Sequence, residues 1–196
     1  MAIPLQQPAT DEPIYYTVEM VDALNEAEPE RLPRYECVYG KLFVTVSPPR
    51  PWHQTVRMRL YHALHHYARG EPAAEYVGLL ESKFTFGRPD VNVGPDIWAV
   101  RREEWRAQDW DALTVPLLLA EVLSPSTKRR ARFDKRRAYM EAGVPLYWIV
   151  DGDHRRVEVW TPGVHFPHFE RERLAWHPEG AAEPFAYAIA ELFAPL

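Results

Sequence analysis

The pattern of apolar and polar residues has a helical period in one part of the chain and a strand period in another. Across residues 52–69, apolar side chains recur every three or four positions, which predicts a long amphipathic helix. Residues 34–39 alternate instead, and Gly40-Lys41 separates them from a second run at 42–46, which predicts a β-hairpin. Nearly continuous apolar runs at 115–123 and 146–150 predict strands that are buried on both faces of a sheet.

The remaining segments complete a prediction of the α/β (α+β) class. Thr17 is expected to cap a short helix, and Gly143 is expected to end a basic helix that starts near residue 128. We expect a mixed central β-sheet flanked by helices, with an N-terminal helix and hairpin. Residues 1–13 are expected to form a flexible arm, and residues 14–196 a single domain. The other predicted elements are strands within 75–87 and at 96–100, 156–160 and 165–175, and helices at 101–110 and 187–193.

The bulk properties of the 196-residue chain exclude several classes of protein. Cys37 is the single cysteine, so an internal disulfide and a cysteine-cluster metal site are ruled out, and a reducing cytoplasm is expected. No apolar run approaches the roughly 20 residues that are needed to span a bilayer. The net charge is −5, so binding to nucleic acid would have to depend on a local basic patch.

Glu121 stands inside the apolar run at 115–123. An ionised carboxylate without a partner in apolar surroundings costs several kcal/mol, so Glu121 must meet a cation or take up a proton. One interpretation is a structural salt bridge, or a strand end that already lies in solvent. The other is a metal ligand at the rim of a central strand.

Asp96 stands at the start of another short apolar run and is a candidate partner for Glu121. The connection between them is long enough for their two strands to be neighbours. Two carboxylates that lie close together repel each other, and a divalent ion relieves that repulsion. Mg²⁺ prefers one or two carboxylates and accepts phosphate oxygens as further ligands, so the pair predicts a site for phosphoryl transfer chemistry.

Lys135 lies on the predicted basic helix, and its neighbours at helical spacing are three alanines, at 131, 138 and 142. A face of small side chains can pack close to a sheet, which would direct Lys135 inward to the two acids. There it could orient a water molecule or stabilise developing negative charge. The alternative is a solvated lysine on an exposed helix. Residues 128–137 are also the one dense basic run, and we expect them to attract DNA.

Taken together, these motifs resemble the Uma-type family of putative restriction endonucleases, part of the PD-(D/E)XK nuclease superfamily. The resemblance rests on Tyr35-Glu36, Gly40, His53-Gln54, Pro95-Asp96, Glu121-Val122-Leu123-Ser124-Pro125-Ser126-Thr127, Lys135, Tyr139, Ala142-Gly143-Val144-Pro145 and Tyr147-Trp148-Ile149-Val150-Asp151.

The resemblance implies a restriction-endonuclease-like core whose metal ligands are Asp96, Glu121 and Val122. It also implies catalytic roles for Lys135 and, as an accessory acid, for Glu36, although a solvent-facing Glu36 is equally compatible with the pattern. The superfamily places its lysine two residues after the acid, where this chain has Leu123, so the lysine is expected from the following helix. Relatives usually carry an aspartate where this chain has Ala131.

The sequence therefore predicts an endonuclease that uses Mg²⁺ (or Mn²⁺) to hydrolyse DNA. A second hypothesis is an inactive nuclease-fold module that binds nucleic acid or a protein. A third is a structural homodimer with an aromatic interface, and a homodimer is also compatible with the nuclease.

Several other motifs are given structural interpretations. Glu81-Ser82-Lys83 spells an acid-x-lysine motif in the wrong order along the chain, and Asp90 stands in a turn. His53 is expected to cap the long helix or pack at its start. His62 and His66 on the same helix are expected at the surface.

Overall fold

A computed structural model describes residues 13–28, 30, 32–70, 75–79, 82–107, 109, 113, 115–123 and 129–195. It has the predicted mixed α/β architecture. The expected N-terminal arm lies outside the described residues except for Pro13. No helix in the described part of the chain is long and apolar enough to cross a membrane.

The helices and strands follow one another closely along the described chain. The helices are α1 (Val18–Ala27), α2 (Pro51–Gly70), α3 (Arg102–Trp105), α4 (Arg129–Glu141) and α5 (Ile189–Leu192). The strands are β1 (Arg34–Val38), β2 (Lys41–Thr45), β3 (Glu75–Leu79), β4 (Val91–Asn92), β5 (Ile97–Arg101), β6 (Leu118–Val122), β7 (Tyr147–Asp151), β8 (Arg156–Trp160), β9 (His168–Glu170), β10 (Arg173–Trp176) and β11 (Phe185–Ala188).

Six strands form the central sheet in the order β3-β5-β6-β7-β8-β9. The central pair β6 and β7 is parallel and is connected through α4, whereas the other neighbours are antiparallel. Ile97 of β5 pairs with Ala120 of β6. Asp96, which precedes Ile97, and Glu121, which follows Ala120, therefore come to the same end of two neighbouring strands.

The helices α2 and α4 pack on opposite faces of this sheet. Leu60 and other apolar residues of α2 share a buried cluster with Ala120. Tyr139 of α4 belongs to a second buried cluster, together with Leu119. Because successive residues of a strand point to opposite faces, the adjacent Leu119 and Ala120 serve the two cores separately.

Two smaller sheets cover the central one. Three strands form a sheet in the order β2-β1-β4. Val38 of β1 packs in the α4-side cluster, which is the buried cluster that contains Tyr139 and Leu119. The ribbon β10-β11 contributes Leu174 and Phe185 to the α2-side cluster. The three-stranded sheet on the α4 side also carries Glu36, on β1.

Most predicted elements are present, with three differences, one of which is that residues 187–188 of the helix predicted at 187–193 belong to β11. The N-cap is confirmed, since Thr17 Oγ1 accepts the Met20 N–H. Within the span 101–110, where a helix was predicted, the described residues form only α3, and a turn at 106–107 follows it. Of the strands predicted at 165–175, only β9 joins the central sheet. β10 leaves it because Leu174 is buried on the α2 side.

Candidate active site

Glu121 receives two hydrogen bonds from α4. Lys135 Nζ and Tyr139 OH both donate to Glu121 Oε1, each at 3.1 Å. The two donors are four positions apart, so the helix presents them on one side. The Tyr139 side chain is fully buried and lies edge-to-face against Tyr147, which fixes the direction of its hydroxyl group. Tyr139 is one of the residues that carry the family resemblance, but the sequence predicted no role for it.

Glu36 of β1 is the second acid that Lys135 contacts. Lys135 Nζ lies 3.0 Å from both Glu36 oxygens, and the Gly94 N–H donates to Glu36 Oε1 at 2.7 Å. Arg34 Nη2 donates to the Gly94 carbonyl at 3.2 Å and lies 3.9 Å from Glu36 Oε1. A Cβ atom on residue 94 would stand 1.6 Å from Arg34 Nη2, so this close approach requires glycine. Glu36 is thus a buried partner of Lys135, not a solvent-facing strand residue.

Asp96 is held from the α2 side of the sheet. Its Oδ2 accepts the Val122 N–H at 2.8 Å and lies 3.5 Å from His53 Nε2, while Arg57 Nη1 is 3.7 Å from Oδ1. His53 Nε2 is also 2.8 Å from the Val122 carbonyl oxygen. Of the two expectations for His53, the structure matches packing at the start of α2, because the ring is buried and turns inward to β6. Arg57 was not predicted at all.

Each acid is therefore held by two residues one helical turn apart on its own helix. His53 and Arg57 of α2 hold Asp96, and Lys135 and Tyr139 of α4 hold Glu121. We call these the α2 pair and the α4 pair. Because β6 runs between the two helices, its residue Glu121 faces α4, and the backbone of Val122 contacts both Asp96 and His53.

The two acids differ in protonation. Burial alone would raise the pKa of Asp96, but His53, the Val122 N–H and Arg57 together hold it below its usual range. Burial raises the pKa of Glu121 to about 7, and the negative charges of Asp96 and Glu36 add to that rise against the opposing effect of Lys135. The Lys135 pKa is raised despite burial because Glu121 and Glu36 flank the amine, so it stays charged.

The donor set fits a hard divalent cation. Carboxylate oxygens of Asp96 and Glu121 and the backbone carbonyl of Val122 are ligands that Mg²⁺ accepts, with waters completing its shell. Burial is the main cause of the raised pKa of Glu121, and the negative charges of Asp96 and Glu36 add a contribution that a cation would relieve. Among the described residues, no set of three or more His, Cys, Asp or Glu side chains is arranged to hold a metal. A site here would therefore depend on two carboxylates, a carbonyl and water.

The basic run at 128–137 is partly engaged within the protein. The Lys135 side chain is 12% exposed and points into the site, Arg136 lies 4.1 Å from the centre of the Trp160 ring, and Arg137 pairs with Glu141 at 2.7 Å. Lys128 lies outside the described residues. In the part that the structure describes, α4 therefore serves the interior as well as the surface.

The motifs set aside have structural surroundings. Asp90 accepts hydrogen bonds from Arg88 and Tyr15. Lys83 pairs with Asp22 at 2.9 Å, whereas Glu81 lies outside the described residues. The other two set-aside residues, His62 and His66, are exposed on α2.

Comparisons with known proteins agree with this architecture. A sequence profile described as Uma2, putative restriction endonuclease, matches residues 19–180. A crystal structure of a putative nuclease belonging to DUF820 from Anabaena variabilis is similar, with a TM-score of 0.70 and 22% identity over 89% of this chain and 97% of that chain. No curated protein matches. The profile covers most of the chain, and the chain belongs to the Uma2 family of putative restriction endonucleases.

Proposed function

We propose that this protein is a divalent-metal-dependent endonuclease that hydrolyses phosphodiester bonds in DNA. The observation that carries the proposal is the meeting of Glu121, Lys135 and Glu36 beside Asp96 at one end of β5 and β6. Membership of a family of putative restriction endonucleases supports the reaction class. The fold supports it as well, because a putative nuclease shares it.

Asp96, Glu121 and the Val122 carbonyl would hold Mg²⁺ or Mn²⁺. Such an ion, when bound, activates water and neutralises charge on the phosphate that is attacked. Asp96 is prepared for this because its carboxylate is kept ionised. Glu121 Oε1 is occupied by Lys135 and Tyr139, which leaves Oε2 as its oxygen for a ligand.

Lys135 acts as a fixed positive donor in this proposal. Its pKa is raised, so the amine does not serve as a base at neutral pH. It instead donates hydrogen bonds to orient the attacking water and stabilises negative charge in the transition state. Glu36 is the residue that positions this amine, since both of its oxygens lie 3.0 Å from Nζ.

The test is cleavage of supercoiled plasmid DNA with Mg²⁺ or Mn²⁺ present. Asp96→Asn and Glu121→Gln should each lower the rate by at least 100-fold, because each removes a charged ligand. Asp90→Asn is the matched control, since Asp90 also follows a proline but pairs with Arg88. Cleavage by either site variant at the wild-type rate would refute the assignment. A metal-binding wild-type chain that cuts neither DNA nor RNA would favour the inactive binding module.

A further inference from the structure

His53 contacts two of the three candidate metal ligands. Its Nε2 lies 2.8 Å from the Val122 carbonyl oxygen and 3.5 Å from Asp96 Oδ2. The His53 side chain is 8% exposed, so solvent has little access to these contacts. His53 lies in the first turn of α2, and Asp96 precedes β5, so the ring joins a helix to the adjoining ends of two strands.

Arg57 stands one helical turn further along α2 and is equally buried. A buried guanidinium needs an anion, and Arg57 Nη1 lies 3.7 Å from Asp96 Oδ1. Gln54 accepts a hydrogen bond from Arg57 Nη2, which holds the group in this direction. Among the described residues, the buried atoms Arg57 Nε and His53 Nδ1 have no hydrogen-bond partner. Leaving such atoms unpaired costs free energy, which ordinary packing does not require.

We propose that the α2 pair, His53 and Arg57, positions the metal ligands Asp96 and Val122 by setting the direction of the Asp96 carboxylate and of the Val122 carbonyl. This inference rests on the proposed function. Both are positioning residues that act through Asp96 and Val122 and do not themselves touch substrate. Partners that orient metal ligands in this way change metal affinity by about 10- to 100-fold when they are removed.

The test is a calorimetric titration of the metal-free full-length protein with Mn²⁺ at fixed pH. His53→Gln places an amide nitrogen near the position of His53 Nε2, within reach of the Val122 carbonyl. The side chain of His53→Asn is shorter, and its amide cannot reach that carbonyl. We expect His53→Asn to weaken Mn²⁺ binding at least 10-fold and His53→Gln to stay within threefold of wild type. Arg57→Met should weaken binding at least 10-fold, and Arg57→Lys should recover part of the loss because it keeps the positive charge.

A purely structural role would lower the melting temperature of all four variants without separating Asn from Gln or Met from Lys in affinity. His66→Asn, on the exposed face of the same helix, is the control and should bind as wild type does. If one substituted residue prevents folding, the pair of variants at the other residue decides. If His53→Asn and Arg57→Met both bind Mn²⁺ with an affinity within twofold of wild type, the inference about the α2 pair is overturned, but the proposed function is not.

The proposed function fails in a different way. A wild-type chain that shows no saturable Mn²⁺ binding, or an Asp96→Asn variant that binds Mn²⁺ as wild type does, refutes the metal site itself. The inference about the α2 pair falls with it. Loss of binding in Asp96→Asn together with unchanged binding in the α2-pair variants leaves the proposed function standing.

Discussion

The acid held by α2 and the acid held by α4 have pKa values that are shifted in opposite directions. Asp96 has its own set of partners, and its pKa is held below the usual range. Glu121 shares Lys135 with Glu36, and its other donor, Tyr139, is neutral. Burial raises the pKa of Glu121 to about 7, because the shared Lys135 offsets only part of that effect.

This difference shows that the allocation of cations, and not burial alone, decides the charge state. Burial opposes ionisation of both acids, yet the pKa of Asp96 is lowered while the pKa of Glu121 is raised to about 7. A carboxyl group that holds a proton near pH 7 is one at which a metal ion competes with that proton. In the proposed metal site, Asp96 would therefore offer an ionised carboxylate at neutral pH, while the contribution of Glu121 would depend on pH.

Breaking the α4 side should have the largest effect on stability. Lys135→Met removes the cation between Glu36 and Glu121, and an uncompensated buried charge costs about 3–5 kcal/mol. Urea denaturation followed by circular dichroism should show this loss in the free energy of unfolding. Adding Glu36→Gln should restore part of it. A loss below about 1 kcal/mol would mean that water already compensates both acids.

Tyr139→Phe weakens the same side while it keeps the ring packing. Glu121 Oε1 loses one donor, and a hydrogen bond to a charged group contributes about 1.5–3 kcal/mol. Denaturation at pH 8, where Glu121 is ionised, should show a loss of about that size. At pH 5.5 the loss should be smaller, since protonated Glu121 needs the donor less. Equal losses at both values would show that Tyr139 acts only through its ring.

The pH dependence of the metal-free protein sharpens the comparison. The folded-state pKa of Glu121 lies above its unfolded value, so its stabilising contribution is complete below the unfolded pKa and is lost as pH rises through about 7. The free energy of unfolding should fall by about 1 kcal/mol between pH 6 and pH 8, and Glu121→Gln should flatten that fall. Asp96 and Glu36, whose pKa values are lowered, lose their contributions only in acid. Added Mg²⁺ should reverse the fall at pH 8 if the ion binds the carboxylate.

The smallest effect is expected on the outer face of α2. His62 and His66 are exposed, so alanine at both positions should change the free energy of unfolding by less than about 0.5 kcal/mol. Mn²⁺ affinity should not change. A larger change in Mn²⁺ affinity at these positions would mean that the effect of α2 on the proposed metal site is not confined to the α2 pair.

The sequence was sufficient to predict that Lys135 reaches Glu121, but it predicted neither the hydrogen bond from Tyr139 nor the α2 pair. Glu121 stood out because it interrupts an apolar strand, and Lys135 because small side chains surround it on its helix. Arg57 gave no such contrast, since an arginine on a long amphipathic helix is ordinarily solvated. One available signal was spacing, because His53 and Arg57 are four positions apart, as Lys135 and Tyr139 are.

Sheet membership was the other part that the sequence did not determine. The apolar pattern identified the residues of β10 but not their partner, because the choice of β11 over the central sheet goes with burial of Leu174 and Phe185 in the α2-side cluster. Glu36 raised the same difficulty. Its strand was predicted correctly, yet whether it faced water depended on a lysine 99 positions away.

The pairing of Ile97 with Ala120 has a consequence for how the protein can fail. A shift of one residue between these strands would turn Glu121 away from Lys135 and move Asp96 out of reach of the Val122 amide. A chain with this wrong strand register would keep its helices and much of its hydrophobic core, but it would lack the proposed metal site. If the proposed metal site exists, Mn²⁺ affinity would therefore depend on correct strand alignment and could distinguish native from misaligned protein in a refolding assay where circular dichroism sees no difference.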